Sequence, residues 1–346
     1  MNEKLNEKLN EKPNLDLLRA IAILLVVFDH LCWALHIFTI KSWQTGWMGL
    51  FGVYLFFVHT CLVLMWSLQR KPHTLDFYIR RAFRIYPLAM AAVIAVVVTH
   101  LPVAQGETSM FNPFQANFAA VFSNLFLIQN IMHGGGVAVG PMWSLPLEVD
   151  MYILLPVLYF FVRKNFSLWP LLLLWGLACG LGKFYLYQGN AFPTVIPCFL
   201  PGIMAYVQFA RIKPRLPAWT FSLFLFALFA FFMQCHMVAA SWPVCLALGL
   251  CLPYFRQIKL PSLKRIALEI ARYSYSVYLT HVFALAIAFY VFHDLSPKLQ
   301  VPLMLGLTAI FSVASYHLIE KPMINYGAKL AAKAELRYEQ HHADPA

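Results

Sequence analysis

The chain has 346 residues, 61% of them hydrophobic and only 12% charged, with a formal charge of +11 and a mean hydropathy of +0.66. Soluble domains of this length carry roughly twice that share of charged residues, so the composition excludes a water-soluble globular protein and points to one embedded in a membrane. Apolar runs recur along the whole length, each long enough to cross ~30 Å of hydrocarbon as a helix, and nothing has the ~10-residue alternation of an outer-membrane barrel. The expected fold is an all-α polytopic bundle of about ten spans, near residues 15–39, 47–68, 86–104, 144–162, 167–186, 193–210, 217–234, 239–255, 273–292 and 301–320.

The chain opens on "NEKLNEKLNEK", a repeated polar unit without the charged, apolar and small-residue succession of a cleaved signal peptide. Residues 1–14 are therefore expected to form a polar cytoplasmic leader. The first span contains "RAIAILLVVFDH", from Arg19 to His30. Eleven helical steps come to roughly 1100°, about three turns, which puts both side chains on one face about 16 Å apart. An ionisable group in hydrocarbon costs ~3 kcal/mol, so each one inside a span is a functional candidate. Asp29 and His30 qualify, past the middle of the span; Asp29 lies off the Arg19–His30 face, so a carboxylate partner for His30 is expected from another span.

In the second span, "FFVHTCLVLM" places His59 in mid-membrane with no charged neighbour in sequence. The loop "LQRKPHTLDFYIRRAFRIYP" follows, with Arg80, Arg81 and Arg84 clustered at helical spacing on an expected short juxtamembrane helix ended by Pro87. Guanidinium forks suit phosphate oxygens, as of a phosphorylated donor, but the loop by itself favours a topology determinant or an anionic-lipid contact over such a site. The longest outer loop, 105–143, carries "HGGGV" and "GPMWS" and an amphipathic piece at "NFAAVFSNLFLIQN".

The fourth span enters through "MWSLPLEVDMYILLP", which sets Glu148 at about the depth of His30. Glu148 and Tyr152 share a helix face, whereas Asp150 points toward a loop or water. A histidine beside a carboxylate is the minimal equipment for a general base acting on a hydroxyl; a helix-start carboxylate stabilised by the dipole is the plainer account of Glu148. His281 in "RYSYSVYLTHV" and His317 in "SYHLIEKP" complete the buried candidates, although lone histidines on apolar faces are more often hydrogen-bonded core residues. The seven cysteines lie in or near spans with no CxxC, which suits apolar packing and gives neither a disulfide set nor a metal site.

Orientation follows from charge. With the N-terminus inside, only Lys41, Lys183 and Lys298 of the 26 Lys and Arg fall outside, a strong positive-inside signal. The net charge is thereby accounted for by topology, and no nucleic-acid partner is expected. Both termini, including a tail over 323–346, are expected in the cytoplasm.

Several of these segments, in order, resemble the acyltransferase 3 family of integral-membrane acyltransferases. "LDLLRAIAILLVVFDH" is similar to the family's opening signature, with its Arg-x10-His on Arg19 and His30. "FYIRRAFRIYP" places the family's Arg-x-x-Arg on Arg81 and Arg84, and "WSLPLEVDMYILLP", from Trp143 and Ser144 onward, places its Glu on Glu148 and its aromatic Tyr on Tyr152. "YSYSVYLTH" and "SYHLIEKP" resemble two late signatures. The chain departs from the pattern at His59, Thr60 and Cys61, where Ser and Gly are common, and at Met151, where Phe is usual.

The resemblance implies a transmembrane acyltransferase domain over 15–322, with no fused esterase-like domain after it, in a multi-pass protein of the cell inner membrane. It implies acetyl-CoA as cytoplasmic acyl donor, no metal, and a sugar hydroxyl of a surface polysaccharide or lipid-linked glycan as acceptor. CoA phosphates would dock at Arg81 and Arg84, helped by Arg80, with the pantetheine arm passing Arg19 toward His30. His30 would be the general base or a transient acyl carrier, oriented by Glu148 or by Asp29, with His59, Trp143, Ser144, Tyr152 and His281 in substrate-binding or supporting places. A proton-coupled transporter or flippase of a glycolipid or organic anion is the alternative; it would use the same buried groups as a proton relay, but the chain lacks matched broken spans in its two halves.

The charge asymmetry makes a direct prediction. In a background freed of native cysteines, a cysteine introduced at Ser109 is expected to react with an impermeant thiol reagent in intact cells, and one at Ala346 is expected to react only after lysis. The opposite labelling would invert the topology.

Overall fold

Hydrocarbon offers no partners to backbone N–H and C=O groups, so a chain this apolar satisfies them within helices. The computed structural model describes residues 12–101, 117–132, 136–163, 167–186 and 191–343, and it is helical almost throughout. Residues 1–11 of the leader, and 105–116 and 133–135 of the 105–143 loop, the latter including part of "HGGGV", lie outside the described residues.

Helix α1 spans Pro13–Ala34, with Pro13 at its first turn, where the missing N–H costs nothing. It ends before the residue expected, giving way to a two-stranded hairpin in which Thr39 pairs with Gln44 and Ile40 with Trp43. Helices α2 (Gly46–Arg70) and α3 (Thr74–Thr99) follow. The short amphipathic helix α4 (Phe118–Leu125) is capped by Asn117, whose side chain accepts from the Ala120 N–H at 2.8 Å. A 3-10 turn at Gly140–Ser144 leads into α5 (Leu145–Val162), then come α6 (Leu168–Leu186), α7 (Ala191–Phe209), α8 (Trp219–Cys235) and α9 (Ser241–Cys251). Helix α10 (Pro261–Ala286) runs on through a π-helical turn to Val291, and α11 (Pro297–Ser315) passes through a second π turn, Tyr316–Glu320, into α12 (Lys321–Ala343).

The protein is thus an all-α polytopic membrane protein. Eight described helices are long and apolar enough to cross a membrane, and two shorter apolar helices, Trp219–Cys235 and Val238–Tyr254, fall where the seventh and eighth spans are expected. The third span differs from its sequence reading. The basic segment and the span are one helix, and Pro87 lies inside it rather than ending it. Membrane helices tolerate an internal proline, and the turn that contains Pro87 is tied to α10 by Tyr275, which donates to the Ile85 carbonyl at 2.6 Å. The arginines are consequently held in rigid register with the membrane core. The 323–346 tail, likewise, continues as helix through Ala343.

Packing centres on α1, which lies against α2 and α10, while α2 also packs on α7, and α12 on α3. Close approach depends on glycine: a Cβ at Gly52 would strike the Ala22 carbonyl oxygen of α1, and one at Gly202 the Val58 carbonyl of α2. Small residues at helix crossings serve this purpose in membranes, where apolar burial alone gives little preference for helix over lipid. The start of α1 is pinned by Asn14, only 1% exposed. Its side-chain amide donates to the Arg256 carbonyl at 3.1 Å and its carbonyl accepts from the Ile258 N–H at 3.0 Å. That clamp fixes the depth of Arg19, about one turn further along α1.

Gly52→Ala is expected to destabilise the detergent-solubilised protein by about 1–3 kcal/mol through overpacking. Gly306→Ala, where nothing lies within 4 Å of an added Cβ, is expected to be neutral or to stabilise by up to about 1 kcal/mol. Thermal unfolding of the two variants side by side reads the difference.

Candidate active site

The basic cluster on α3 meets the rest of the bundle around one cavity of about 370 Å3. Arg19 of α1 and Arg80, Arg81 and Arg84 of α3 line it, together with His59 and Thr60 of α2, Ser144, Glu148 and Tyr152 at the start of α5, and Ser274, Tyr275 and Tyr278 of α10. Ile324 and Ala328 of α12 close one side.

Four guanidinium groups around one space need acids to offset their repulsion. Arg80 is held by Asp76, one turn earlier, with Nε 2.7 Å from Oδ2, and Lys71 Nζ approaches the same carboxylate at 4.0 Å. Arg84 Nη2 lies 3.5 Å from Oε1 of Glu320, whose side chain is fully buried; Ser276 donates to the other oxygen, Oε2, at 2.6 Å. Glu320 reaches this position from the last residue of the π turn, and such turns commonly mark functional positions because they redirect a side chain without breaking the helix. Glu148 accepts from the Tyr152 hydroxyl at 2.5 Å. The Nε–H groups of Arg19 and Arg81 are buried and have no hydrogen-bond partner among the described residues. Four guanidinium groups lining one cavity suit an anionic ligand rich in acceptor oxygens.

His30 takes a partner other than the carboxylate expected. Its Nδ1 lies 2.6 Å from Nε2 of His281 on α10, with the rings nearly parallel, while Glu148 lies with Arg19 in the arginine cavity. The physical reason is the 3-10 turn before α5. The Tyr278 hydroxyl donates to the Pro141 carbonyl at 2.6 Å and, its proton thus used, accepts from Ser144 Oγ at 2.7 Å. These bonds draw the start of α5 into the bundle at the level of Tyr278, one turn short of His281 along α10. Glu148 is one turn further from that level, toward Arg19. The histidine pair lies beyond the residues that line the cavity, on the same two helices: His281 follows Tyr278 on the same face of α10, and His30 follows Arg19 on one face of α1.

Other residues singled out in the sequence fall elsewhere. Asp29 is 2% exposed and lies against Gly49 of α2, where a Cβ would strike its carboxylate. Asp150 accepts from Asn130 Nδ2 at 2.6 Å, in the segment after α4. Trp143 packs partly buried on the hydrophobic core. His317 is exposed on the outside of the bundle, its Nε2 3.4 Å from the Tyr273 hydroxyl. Among the described residues no group of three metal-ligating side chains converges, and the cysteines are free thiols. Glu320, Tyr275 and Tyr278 are site residues that the sequence reading passed over, although a glutamate within the tenth expected span carries the same intramembrane signal as His30.

A family model described as an acyltransferase domain matches residues 12–317. Among curated proteins, the acyltransferase MdmB of Streptomyces mycarofaciens is 28% identical over 137 residues, 39% of this chain and 33% of that protein. The O-acetyltransferase OatA of Staphylococcus aureus is 30% identical over 167 residues, 45% of this chain and 26% of that protein. A putative acetyltransferase, ORF330, of Acidianus two-tailed virus is 26% identical over 152 residues, 42% and 41% of the two chains. The chain therefore spans well under half the length of these relatives, and no solved structure matches it significantly.

The Arg84–Glu320 pair, whose acid is fully buried and whose guanidinium is partly exposed, predicts coupling. Arg84→Met alone strands a fully buried carboxylate and is expected to be more destabilising than Arg84→Met combined with Glu320→Gln, because losing one partner of such a pair costs about 3–5 kcal/mol. A double-mutant cycle from unfolding in micelles is expected to give a coupling above about 1 kcal/mol; additive effects would show that the two charges do not interact.

Proposed function

The chain belongs to the acyltransferase domain family matched over residues 12–317, and on that premise we propose that it is an O-acetyltransferase of the cell inner membrane, moving acetyl from cytoplasmic acetyl-CoA to a sugar hydroxyl of a surface polysaccharide or lipid-linked glycan. The observation that carries this reading is that α1 and α10, whose Arg19 and Tyr278 line the arginine cavity, also carry the buried pair His30 and His281.

In this reading the nucleotide phosphates of the donor dock at Arg80, Arg81 and Arg84. The pantetheine arm passes Arg19 and Glu148, and its thioester end comes to His30, an extended pantetheine having about the reach of the ~16 Å that separates Arg19 from His30 along α1. His30 accepts the acceptor's hydroxyl proton as the oxygen attacks the acetyl carbonyl carbon. The C–S bond then breaks, and the CoA thiolate takes that proton from the imidazolium. Glu148, bonded to Tyr152 and facing Arg19 and Arg81 across the cavity, serves as a counter-charge that keeps the guanidinium groups in place between turnovers. The unit performing this chemistry is 15–322, with both termini on the donor's side. The outward-facing 105–143 loop offers the acceptor its approach.

Arg81 is the clean probe of donor binding, because Arg84 is also tied to Glu320. Arg81→Ala is expected to weaken acetyl-CoA affinity by about 1.5–3 kcal/mol, the worth of a charge-assisted contact, and Arg81→Lys to recover part of it. Undiminished binding by a folded Arg81→Ala/Arg84→Ala variant would overturn the donor site. Incubating the purified protein with labelled acetyl-CoA and a panel of glycan acceptors is expected to give acetylated product. No product across the panel, with substrate accumulation in vesicles that collapses with the proton gradient, would favour a transporter instead.

A further inference from the structure

Two imidazoles in direct contact constrain one another's protons. His281 Nδ1 lies 2.8 Å from the Val277 carbonyl oxygen, one turn earlier on α10. A carbonyl only accepts, so that nitrogen carries the hydrogen. In a neutral ring the other nitrogen, Nε2, then holds the lone pair, and it is Nε2 that meets His30 at 2.6 Å. The facing atom, His30 Nδ1, must therefore be the donor. With its Nδ1 protonated, neutral His30 carries its own lone pair on Nε2. Reversing either proton would set two lone pairs against each other, at His281 Nε2 or at the Val277 carbonyl.

We propose that His281 is a positioning residue for the transfer reaction: through the relay Val277 carbonyl, His281, His30 it fixes His30 in the tautomer whose basic nitrogen is Nε2 and holds the ring in the plane of the pair. This rests on the assignment of His30 as the base. The backbone carbonyl of α10 supplies here what a buried carboxylate supplies in a Ser-His-Asp triad, namely the orientation of the imidazole and the choice of its reactive nitrogen. When His30 Nε2 takes the proton of the acceptor hydroxyl, the resulting imidazolium still donates from Nδ1 to His281 Nε2, so the bond strengthens as charge develops and no proton need leave the pair. His281 neither accepts nor releases a proton in the cycle; the proton on His30 Nε2 returns to the departing thiolate. The arrangement is in keeping with both rings being buried, His281 at 0% and His30 at 8% exposure, since each supplies the other with a polar contact.

Protein labelled with 15N at its 12 histidines, held in lipid nanodiscs without acetyl-CoA, provides the test. Two-bond 1H–15N correlation spectra, with signals assigned by comparison with His30→Asn and His281→Asn, are expected to show Nδ1–H on both His30 and His281 in the wild type. His30 protonated on Nε2, or a stable imidazolium in the pair, would overturn the proposal. The spectrum is taken on resting protein, so its outcome is independent of whether the transferase reading survives, and it needs no variant to be active. In the transfer assay His281→Phe is expected to lower kcat by roughly 10²-fold or more with KM for acetyl-CoA changed by less than about twofold, while His281→Gln, whose amide oxygen can accept from His30 Nδ1, recovers most of the rate. A folded His281→Phe that keeps kcat within about threefold of wild type would equally remove His281 from the mechanism.

Discussion

Guanidinium groups gathered at the edge of hydrocarbon repel one another, and the bundle is organised around holding three of them on one face of α3 with a fourth opposite. Each is held differently. Arg80 leans on Asp76 within the same helix, whereas Arg84 takes its carboxylate from the far end of the described chain, at Glu320. Arg19 and Arg81 keep buried Nε–H groups with no hydrogen-bond partner among the described residues. A cluster neutralised throughout would have no affinity left for an anion, and one not neutralised at all would not stay folded in a medium of low dielectric. A partial balance of this kind suits a ligand that brings its own negative charge.

Helix α1 connects this electrostatic site to the histidine pair. Its depth is fixed at one end by Asn14 bonded to the 256–258 segment and along its length by the glycine contact of Gly52 on Ala22. Helix α10 is parallel in function: Tyr275 and Tyr278 tie it to α3 and to the 3-10 turn before α5, and His281 follows one turn later. Since α1 and α10 are both continuous helices over this stretch, the distance from the arginine end to the histidine pair is set by helical rise and does not depend on a loop.

Much of this was legible in the sequence. Hydropathy gave the helical bundle, the intramembrane rule picked out His30 and Glu148, and helical spacing put Arg80, Arg81 and Arg84 on one helix. Pairings were the part that could not be read. His30 and His281 are 251 residues apart, and nothing in the periodicity of either span says which helices become neighbours. The assignment of Glu148 to His30 assumed that the fourth span begins at the membrane surface; the bonds of Tyr278 to Pro141 and Ser144 bring its start inward and move Glu148 to the arginines instead. Pro87 misled for a related reason, because a proline ends an isolated helix but is tolerated in a membrane helix, here in a turn tied to α10 by Tyr275. Glu320 went unremarked beside His317 in "SYHLIEKP", and only the π turn reveals that it, and not the histidine, faces inward.

The central claim is that binding and chemistry occupy opposite ends of one helix face, at Arg19 and at His30. Measuring acetyl-CoA binding and single-turnover acetyl transfer on the same preparation of His30→Ala tests it most directly. The account predicts an affinity within about twofold of wild type together with a transfer rate lowered by at least roughly 10²-fold, as loss of a positioned proton acceptor requires. A folded His30→Ala protein that transfers acetyl at the wild-type rate would contradict it.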